Sequence, residues 1–170
     1  MLTESEAIAL LRKHAPDERL FRIVLAHSQK VKEIALRMAK AHPEADKEFI
    51  RIGALLHDIG RFSAKKAILH GIIGAEILRK EGLPDFALVC ERHLGAGISK
   101  EEVIAEKLPL PNRNFLPLSV EEKIITAADN LVDNGGEISE DAAAERYRKE
   151  LGPAVAQKVQ ALFDELKEKS

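Results

Sequence analysis

The chain has 170 residues, of which 45% are hydrophobic and 32% charged, and its formal net charge is -2. A chain of this length buries about 70% of the surface of its unfolded form, which is enough for a core with an internal polar site. The near-neutral charge argues against a nucleic-acid groove, and the single cysteine, Cys90, excludes an intramolecular disulfide and a cysteine-based zinc cluster. No apolar run approaches the roughly 20 residues of a membrane span, so we expect a cytoplasmic protein.

Helical periodicity, interrupted by helix breakers, predicts about eight helices in a single domain spanning residues 1–170. Thr3 is placed to cap the first helix, and Asp17 is placed at the start of a long second helix that ends before Pro43. His27 falls inside the apolar stripe of that second helix. The second helix is therefore predicted to place a polar side chain in the core.

A third helix is predicted from about Asp46 to Ile59, stopping at Gly60 because glycine tolerates the left-handed backbone of a helix C-terminus. His57 and Asp58 lie at its end. Neighbouring side chains on a regular helix diverge by about 100°, but the freedom of a last turn lets both face one centre. This pair is therefore a candidate pair of site residues.

Two further helices each present a histidine on an apolar face. A helix from about His70 to Gly82 places His70 on the same face as two isoleucines, Ile73 and Ile77. The next helix begins near Pro84 and carries His93. Both histidines are thus predicted to point inward.

The last third of the chain adds one more inward-facing carboxylate. Ser99 and Ser119 each begin a capping-box pattern, which predicts a loop for the stretch LPLPNRNFLPLS and a helix after it that carries Asp129 on its apolar face. Two closing helices are predicted at roughly 139–150 and 154–168. The sequence leaves open whether they cap the site or form the surface of a homodimer.

Six polar side chains are thus predicted to meet in the core. An unpaired buried carboxylate is costly and requires a cation, a basic partner or a proton. Any one histidine on an apolar face is as readily a satisfied core residue as a ligand, but a metal ion would account for all six together. The six residues are His27, His57, Asp58, His70, His93 and Asp129.

The segment GALLHDIGR, residues 53–61, resembles the signature of the HD superfamily of metal-dependent phosphohydrolases. His27 in AHSQKV and Asp129 in ITAADNLVD have the order and spacing of that family's mononuclear site. The resemblance covers roughly residues 20–133 and implies an all-α fold, a compact HD-domain helical bundle with the metal site in its core. The closing helices lie outside it.

His70 in LHGIIGAEIL and His93 in ERHLG resemble the extra ligands of the binuclear branch of the family, whose order is H-HD-H-H-D. Within this branch the chain is most similar to hydrolases of dinucleoside polyphosphates. It departs from them at Arg61, where they typically have lysine, and in its longer insert LPLPNRNFLPLS. The branch that cleaves cyclic dinucleotides has a GYP motif, which this sequence does not contain.

The resemblance implies hydrolysis of a phosphate ester or anhydride of a small nucleotide or dinucleotide by a metal-activated hydroxide. It implies one or two divalent metal ions, and Fe, Mn, Co, Ni and Zn all suit imidazole and carboxylate ligands without thiolate. Asp58 bridges the two ions and so belongs to the catalytic centre, and Arg61 and Arg92 are the candidate catalytic cations for phosphate oxygens, ahead of Lys65 and Lys66. The ligands are His27, His57, Asp58 and Asp129 for one ion, and His70 and His93 with Asp58 for the other.

Other functions stay open at this stage. A mononuclear nucleoside 5'-monophosphate phosphatase would use His70 and His93 for substrate rather than metal. A nucleotide-binding domain without turnover and a di-iron oxygenase would use the same fold. Cleavage of RNA phosphates is chemically allowed by two metals, but the near-neutral charge argues against a long nucleic acid.

Overall fold

The computed structural model describes residues 2–168, and within this range the chain is a bundle of nine α-helices joined by two 3-10 turns and one small hairpin. The all-α fold is thereby confirmed. No helix within residues 2–168 is long and apolar enough to cross a membrane. The elements in chain order are α1 Glu4–His14, α2 Glu18–Met38, α3 Lys47–Leu56, 3-10 turns Ile59–Phe62 and Ala67–Leu69, α4 His70–Lys80, α5 Pro84–Arg92, α6 Lys100–Ala105, α7 Val120–Asn130, β1 Val132–Asp133, β2 Gly136–Glu137, α8 Glu140–Leu151 and α9 Pro153–Glu168.

The predicted capping residues begin their helices. Thr3 and Ser99 each form a complete capping box at the starts of α1 and α6. The side chains of Asp17 and Ser119 accept backbone hydrogen bonds in the first turns of α2 and α7. These contacts satisfy N–H groups that a helix start leaves unpaired, which explains why the predicted starts are confirmed.

The second half of α3, from Ile52 to Leu56, is buried because it lies between two apolar cores. Ile50 and Ala54 belong to a core built with α2, α7, α8 and α9. Ile52 and Leu55 belong to a core built with α1, α2, α4 and α5. All four side chains are at most 1% exposed. The end of α3 therefore lies at the centre of the bundle.

The end of α3 differs from the prediction. The helix ends at Leu56 rather than near Ile59, and a 3-10 turn follows. Gly60 does not have the predicted left-handed backbone. A Cβ atom at Gly60 would lie 1.9 Å from the carbonyl oxygen of His70 and 2.5 Å from the nitrogen of Gly74. The glycine is needed because the 3-10 turn touches the backbone of α4.

The predicted loop LPLPNRNFLPLS is confirmed as irregular, and it packs inward. Leu110 and Phe115 form a third apolar core with residues that include Leu69, immediately before His70. Arg113, in the same loop, stacks over Phe115 at 4.3 Å and donates two hydrogen bonds, of 3.1 and 3.0 Å, to Glu91. The insert is therefore fixed against the start of α4.

Helices α8 and α9 match the predicted closing helices; they pack on each other, and α9 also packs on α7. The hairpin that precedes them was not predicted. Val132 pairs with Glu137 and Asp133 with Gly136 in antiparallel register. The connecting residues, 134–135, are Asn-Gly and both have left-handed φ values, as a two-residue hairpin turn requires.

Gly60→Ala tests the contact between the 3-10 turn and α4. We expect a loss of about 3 kcal/mol or more in the free energy of unfolding, because the added methyl group overlaps backbone atoms that cannot rotate away. Urea unfolding measures this. Gly136→Ala is the control, since its Cβ would meet only Asp133 O at 3.7 Å. Equal stability of the two variants would contradict the close approach.

Candidate metal centre

The six residues predicted as metal ligands come from five elements and meet in the middle of the bundle. His27 lies midway along α2, and Asp129 lies near the end of α7. His57 and His93 occupy the residues that follow α3 and α5, and His70 is the first residue of α4. Asp58 follows His57 directly. Three of the four histidines thus lie at helix ends.

His57, His70 and His93 make the same hydrogen bond with the backbone. In each, Nδ1 donates to the carbonyl oxygen three residues earlier, at 2.7, 2.5 and 2.7 Å respectively. A carbonyl oxygen only accepts, so Nδ1 must carry the proton. In the neutral tautomer with this proton, Nε2 presents its lone pair to the centre, as a metal ligand must.

One group of ligand atoms surrounds Oδ2 of Asp58 and Oδ1 of Asp129. His27 Nε2 lies 2.9 Å from Asp129 Oδ1 and 3.4 Å from Asp58 Oδ2. His57 Nε2 lies 3.4 Å from Asp129 Oδ1 and 3.6 Å from Asp58 Oδ2. Ligand atoms of His27, His57 and Asp129 all lie within 4.8 Å of one another, so this group could hold a metal ion.

A second group of ligand atoms surrounds the other oxygen of Asp58. Asp58 Oδ1 lies 3.1 Å from His70 Nε2 and 3.5 Å from His93 Nε2. The two Nε2 atoms are 2.9 Å apart. Two lone pairs at this distance repel each other unless a proton or a metal ion lies between them. The carboxylate of Asp58 therefore faces both groups, one oxygen to each.

The donor set fits divalent metal ions. His57 and Asp58 are fully buried, and His57 Nε2 and Asp58 Oδ1 have no hydrogen-bond partner among the described residues. Buried acceptors without a partner are costly, and several acceptors aimed at one point match a cation. Cys90 adds no thiolate, because burial raises the pKa of its thiol well above the usual range and Sγ donates to the carbonyl oxygen of Leu56.

The charges of the centre are fixed by neighbouring groups. Burial alone would raise the pKa of Asp58, but the imidazole groups of His57 and His70 hold it well below its usual value. The pKa of Asp129 is likewise lowered, against the effect of burial, by His27 and His57. Burial would lower the pKa of His27, but the two carboxylates raise it. Both aspartates are therefore anionic at neutral pH.

The ligands of the centre are unequally exposed. The side chains of His27 and Asp129 are 24% and 14% exposed, whereas those of His57, His70 and His93 are at most 5% exposed. The two more exposed ligands lie on α2 and α7, and the insert lies against the start of α4. A ligand would therefore approach past His27 and Asp129.

The two arginines predicted to bind phosphate, Arg61 and Arg92, have different partners in the structure. Arg61 Nε donates to Asp58 Oδ2 at 2.5 Å, and its side chain is 47% exposed. Arg92 Nη1 donates to both carboxylate oxygens of Glu122, at 2.9 and 3.0 Å, while its buried Nε has no partner among the described residues. Arg61 thus joins the ligand cluster to solvent, and Arg92 is already paired.

Glu122 is the partner of the candidate residue Arg92, a contact that the sequence interpretation missed. The capping-box pattern assigns its carboxylate to the backbone of Ser119, but the carboxylate binds Arg92 and the N–H of Leu118, at 2.7 Å. Glu122 precedes Asp129 by seven residues and so lies on the same helix face. That spacing is the signal that could have identified it.

Comparison with known sequences places residues 24–133 in the pattern of the HD domain family. A protein of Methanocaldococcus jannaschii, named only as uncharacterized, is 42% identical over 150 residues, which cover 88% of this chain and 87% of that one. Two tRNA (cytidine(56)-2'-O)-methyltransferases are also similar. Those of Picrophilus torridus and Thermoplasma volcanium are 37% and 39% identical over 96% and 86% of this chain. The matches cover only 46% and 41% of the two enzymes.

Crystal structures of the HD domain of phosphodiesterase PgpH from L. monocytogenes have the same fold. One superposes with a TM-score of 0.54 and 19% sequence identity over 94% of both chains. Another, in complex with cyclic-di-AMP, gives a TM-score of 0.56 and 19% identity over 94% of this chain and 92% of that one. At this identity the likeness establishes the fold alone.

Metal binding to this centre should be visible as stabilisation. We expect Mn²⁺ to raise the thermal unfolding midpoint of chelator-treated protein, with about 2.7 kcal/mol of stabilisation at a hundredfold excess over its dissociation constant. Asp58→Asn should abolish the shift because it removes the shared carboxylate. His14→Gln is the control, since His14 contacts Glu81 outside the centre. A shift that persists in Asp58→Asn would contradict this assignment.

Proposed function

The chain belongs to the HD domain family, and we propose that it is a metal-dependent phosphohydrolase whose substrate is a phosphate ester or anhydride of a nucleotide or dinucleotide. Three Nε2 lone pairs, of His57, His70 and His93, carry this proposal, because they converge on a fully buried carboxylate. A buried site rich in acceptors recruits a cation before it can act on an anionic substrate.

We assign the ligands to two ions. Oδ2 of Asp58 faces the first group and Oδ1 faces the second, so Asp58 would offer one oxygen to each ion. The 2.9 Å contact between His70 Nε2 and His93 Nε2 supports a second ion, since a cation between the two atoms would remove the repulsion of their lone pairs. The first ion would be held by His27, His57, Asp58 and Asp129, and the second by His70, His93 and Asp58.

When bound, such ions act as Lewis acids and lower the pKa of the attacking water. The residues of the chain hold these ions and orient the substrate. Both aspartates stay anionic because their pKa values are lowered, and they hold the ligand geometry. Arg61 is bound to Asp58 and 47% exposed, so its remaining N–H groups would be free to bind a phosphate oxygen. Its guanidinium would thereby orient the phosphate over the centre.

Arg92 keeps its place as a second candidate for phosphate binding, with a weaker argument. Its buried Nε is unpaired among the described residues, which favours a ligand contact. Its charge is already neutralised by Glu122 at 2.9 and 3.0 Å, which weakens its attraction for an anion. We therefore rank Arg61 first.

The relatives favour a second candidate function. Two of them are named as tRNA (cytidine(56)-2'-O)-methyltransferases, and this chain matches less than half of their length. A phosphohydrolase attached to a tRNA-modifying enzyme would lie close to a bound tRNA. A two-ion centre can hydrolyse a phosphate group whatever molecule carries it. Hydrolysis of a phosphate at an RNA terminus is therefore included in the test.

The number of ions and the substrate can be tested in one set of samples. We expect elemental analysis of protein purified without chelator to give about two metal ions per chain, falling towards about one in His70→Ala, with loss of phosphate release. The substrates are nucleoside monophosphates, dinucleoside polyphosphates, cyclic-di-AMP and 3'-phosphorylated tRNA. The control is His14→Ala, which removes a histidine outside the centre.

A metal content of one ion per chain that is unchanged in His70→Ala would contradict the two-ion assignment. With release of phosphate from nucleoside monophosphates, that result would favour a mononuclear nucleotidase. With binding of nucleotides but no turnover, it would favour a nucleotide-binding domain.

Substitution of Arg61 tests its role towards the substrate. We expect Arg61→Ala to lower kcat/KM by roughly ten- to a hundredfold, the effect of losing a hydrogen bond between two charged groups. Arg61 also binds Asp58, so metal content is measured in the same samples, and we expect it to be unchanged. Lys66→Ala is the control, because Lys66 is an exposed cation in the same loop. An equal loss in both variants would contradict a specific role for Arg61.

A further inference from the structure

Asn130 connects three parts of the molecule around the metal centre. It follows Asp129 at the end of α7, and its side chain is fully buried. Its Nδ2 donates to the carbonyl oxygen of Gly95 at 2.7 Å, and its Oδ1 accepts from the hydroxyl of Tyr147 at 2.7 Å. Helix α7, the turn after His93 and helix α8 are therefore joined through one amide group.

The glycine turn, residues 94–97, follows His93 directly. Gly95 and Gly97 have left-handed φ values of 61° and 85°. Both of their carbonyl oxygens are bound by side chains: that of Gly95 by the amide just described, and that of Gly97 by Nζ of Lys158 on α9, at 2.7 Å. Glycine has little backbone preference of its own, so these side chains help to fix the turn.

The hydroxyl of Tyr147 decides which way the amide of Asn130 points. An amide oxygen only accepts, so the hydroxyl donates to Oδ1 and leaves Nδ2 for the carbonyl of Gly95. In the reversed orientation the amide oxygen would face that carbonyl, and two acceptors would repel. Burial raises the pKa of Tyr147 to about 12, so the hydroxyl keeps its proton at neutral pH.

We propose that Tyr147 is a positioning residue for His93, because its hydroxyl holds Asn130 in the orientation that binds the glycine turn. The inference rests on the proposed function, which assigns His93 to the second ion. His93 Nε2 lies 2.9 Å from His70 Nε2 and 3.5 Å from Asp58 Oδ1, so a small displacement of the turn changes this half of the centre. The closing helices thus brace the metal centre.

Tyr147→Phe removes the hydroxyl and keeps the ring. Metal-free protein is titrated with Mn²⁺ in a calorimeter, and hydrogen exchange of the Gly97 amide, which donates to the carbonyl of Leu94 at 2.9 Å, is followed by NMR. We expect the affinity for one of the two Mn²⁺ equivalents to fall by about tenfold or more, while the other stays unchanged. We also expect faster exchange of the Gly97 amide.

Leu166→Ala is the matched control, since it loosens the packing of α9 in the same core without touching the network around Asn130. It should lower the unfolding midpoint and leave both Mn²⁺ affinities as they are. Unchanged affinity and exchange in Tyr147→Phe, or the same selective loss in Leu166→Ala, overturns the role of Tyr147. A single Mn²⁺ equivalent in the unaltered protein overturns the two-ion function instead, and Gly97 exchange then decides by itself whether Tyr147 holds the turn.

Discussion

The constraint on which this structure depends is the burial of one carboxylate among imidazole lone pairs. Asp58 is fully buried, and its Oδ1, like Nε2 of His57, has no hydrogen-bond partner among the described residues. Buried acceptors of this kind cost free energy until a cation satisfies them. The apolar cores on both sides of α3 must therefore supply enough stability to hold the centre together, and they do so by burying the second half of α3, which leads to the centre.

The ends of helices fix the orientation of the imidazole rings in the centre. The last carbonyl groups of a helix have no partner within it, and His57 and His93 use such carbonyls of α3 and α5 for their Nδ1 protons. His70 uses a carbonyl of the 3-10 turn before α4 in the same way. One local hydrogen bond in each case fixes both the tautomer and the direction of the ring. Residues next to such a bond, such as Asp58, are then placed by short stretches of backbone.

Features of the site that depend on local periodicity are predictable from the sequence. His27 and Asp129 each interrupt an apolar stripe, so their inward direction follows from helix geometry, and the structure places both at the centre. Contacts between distant segments leave no such pattern. The space that requires Gly60 to be glycine is set by the backbone of His70, and the charge of Arg92 is neutralised by Glu122, 30 residues further on.

The uneven exposure of the ligands has a kinetic consequence. His70 and His93 lie behind the first group of ligands and are almost completely buried, while His27 and Asp129 border solvent. In the proposed two-ion centre, an ion at the inner position would leave past the outer one. The two ions would then load in a fixed order, the inner first, and leave in the reverse order. The inner ion would exchange slowly and remain bound through many turnovers. The occupancy of the outer position would instead depend on the concentration and identity of the free metal ions in solution.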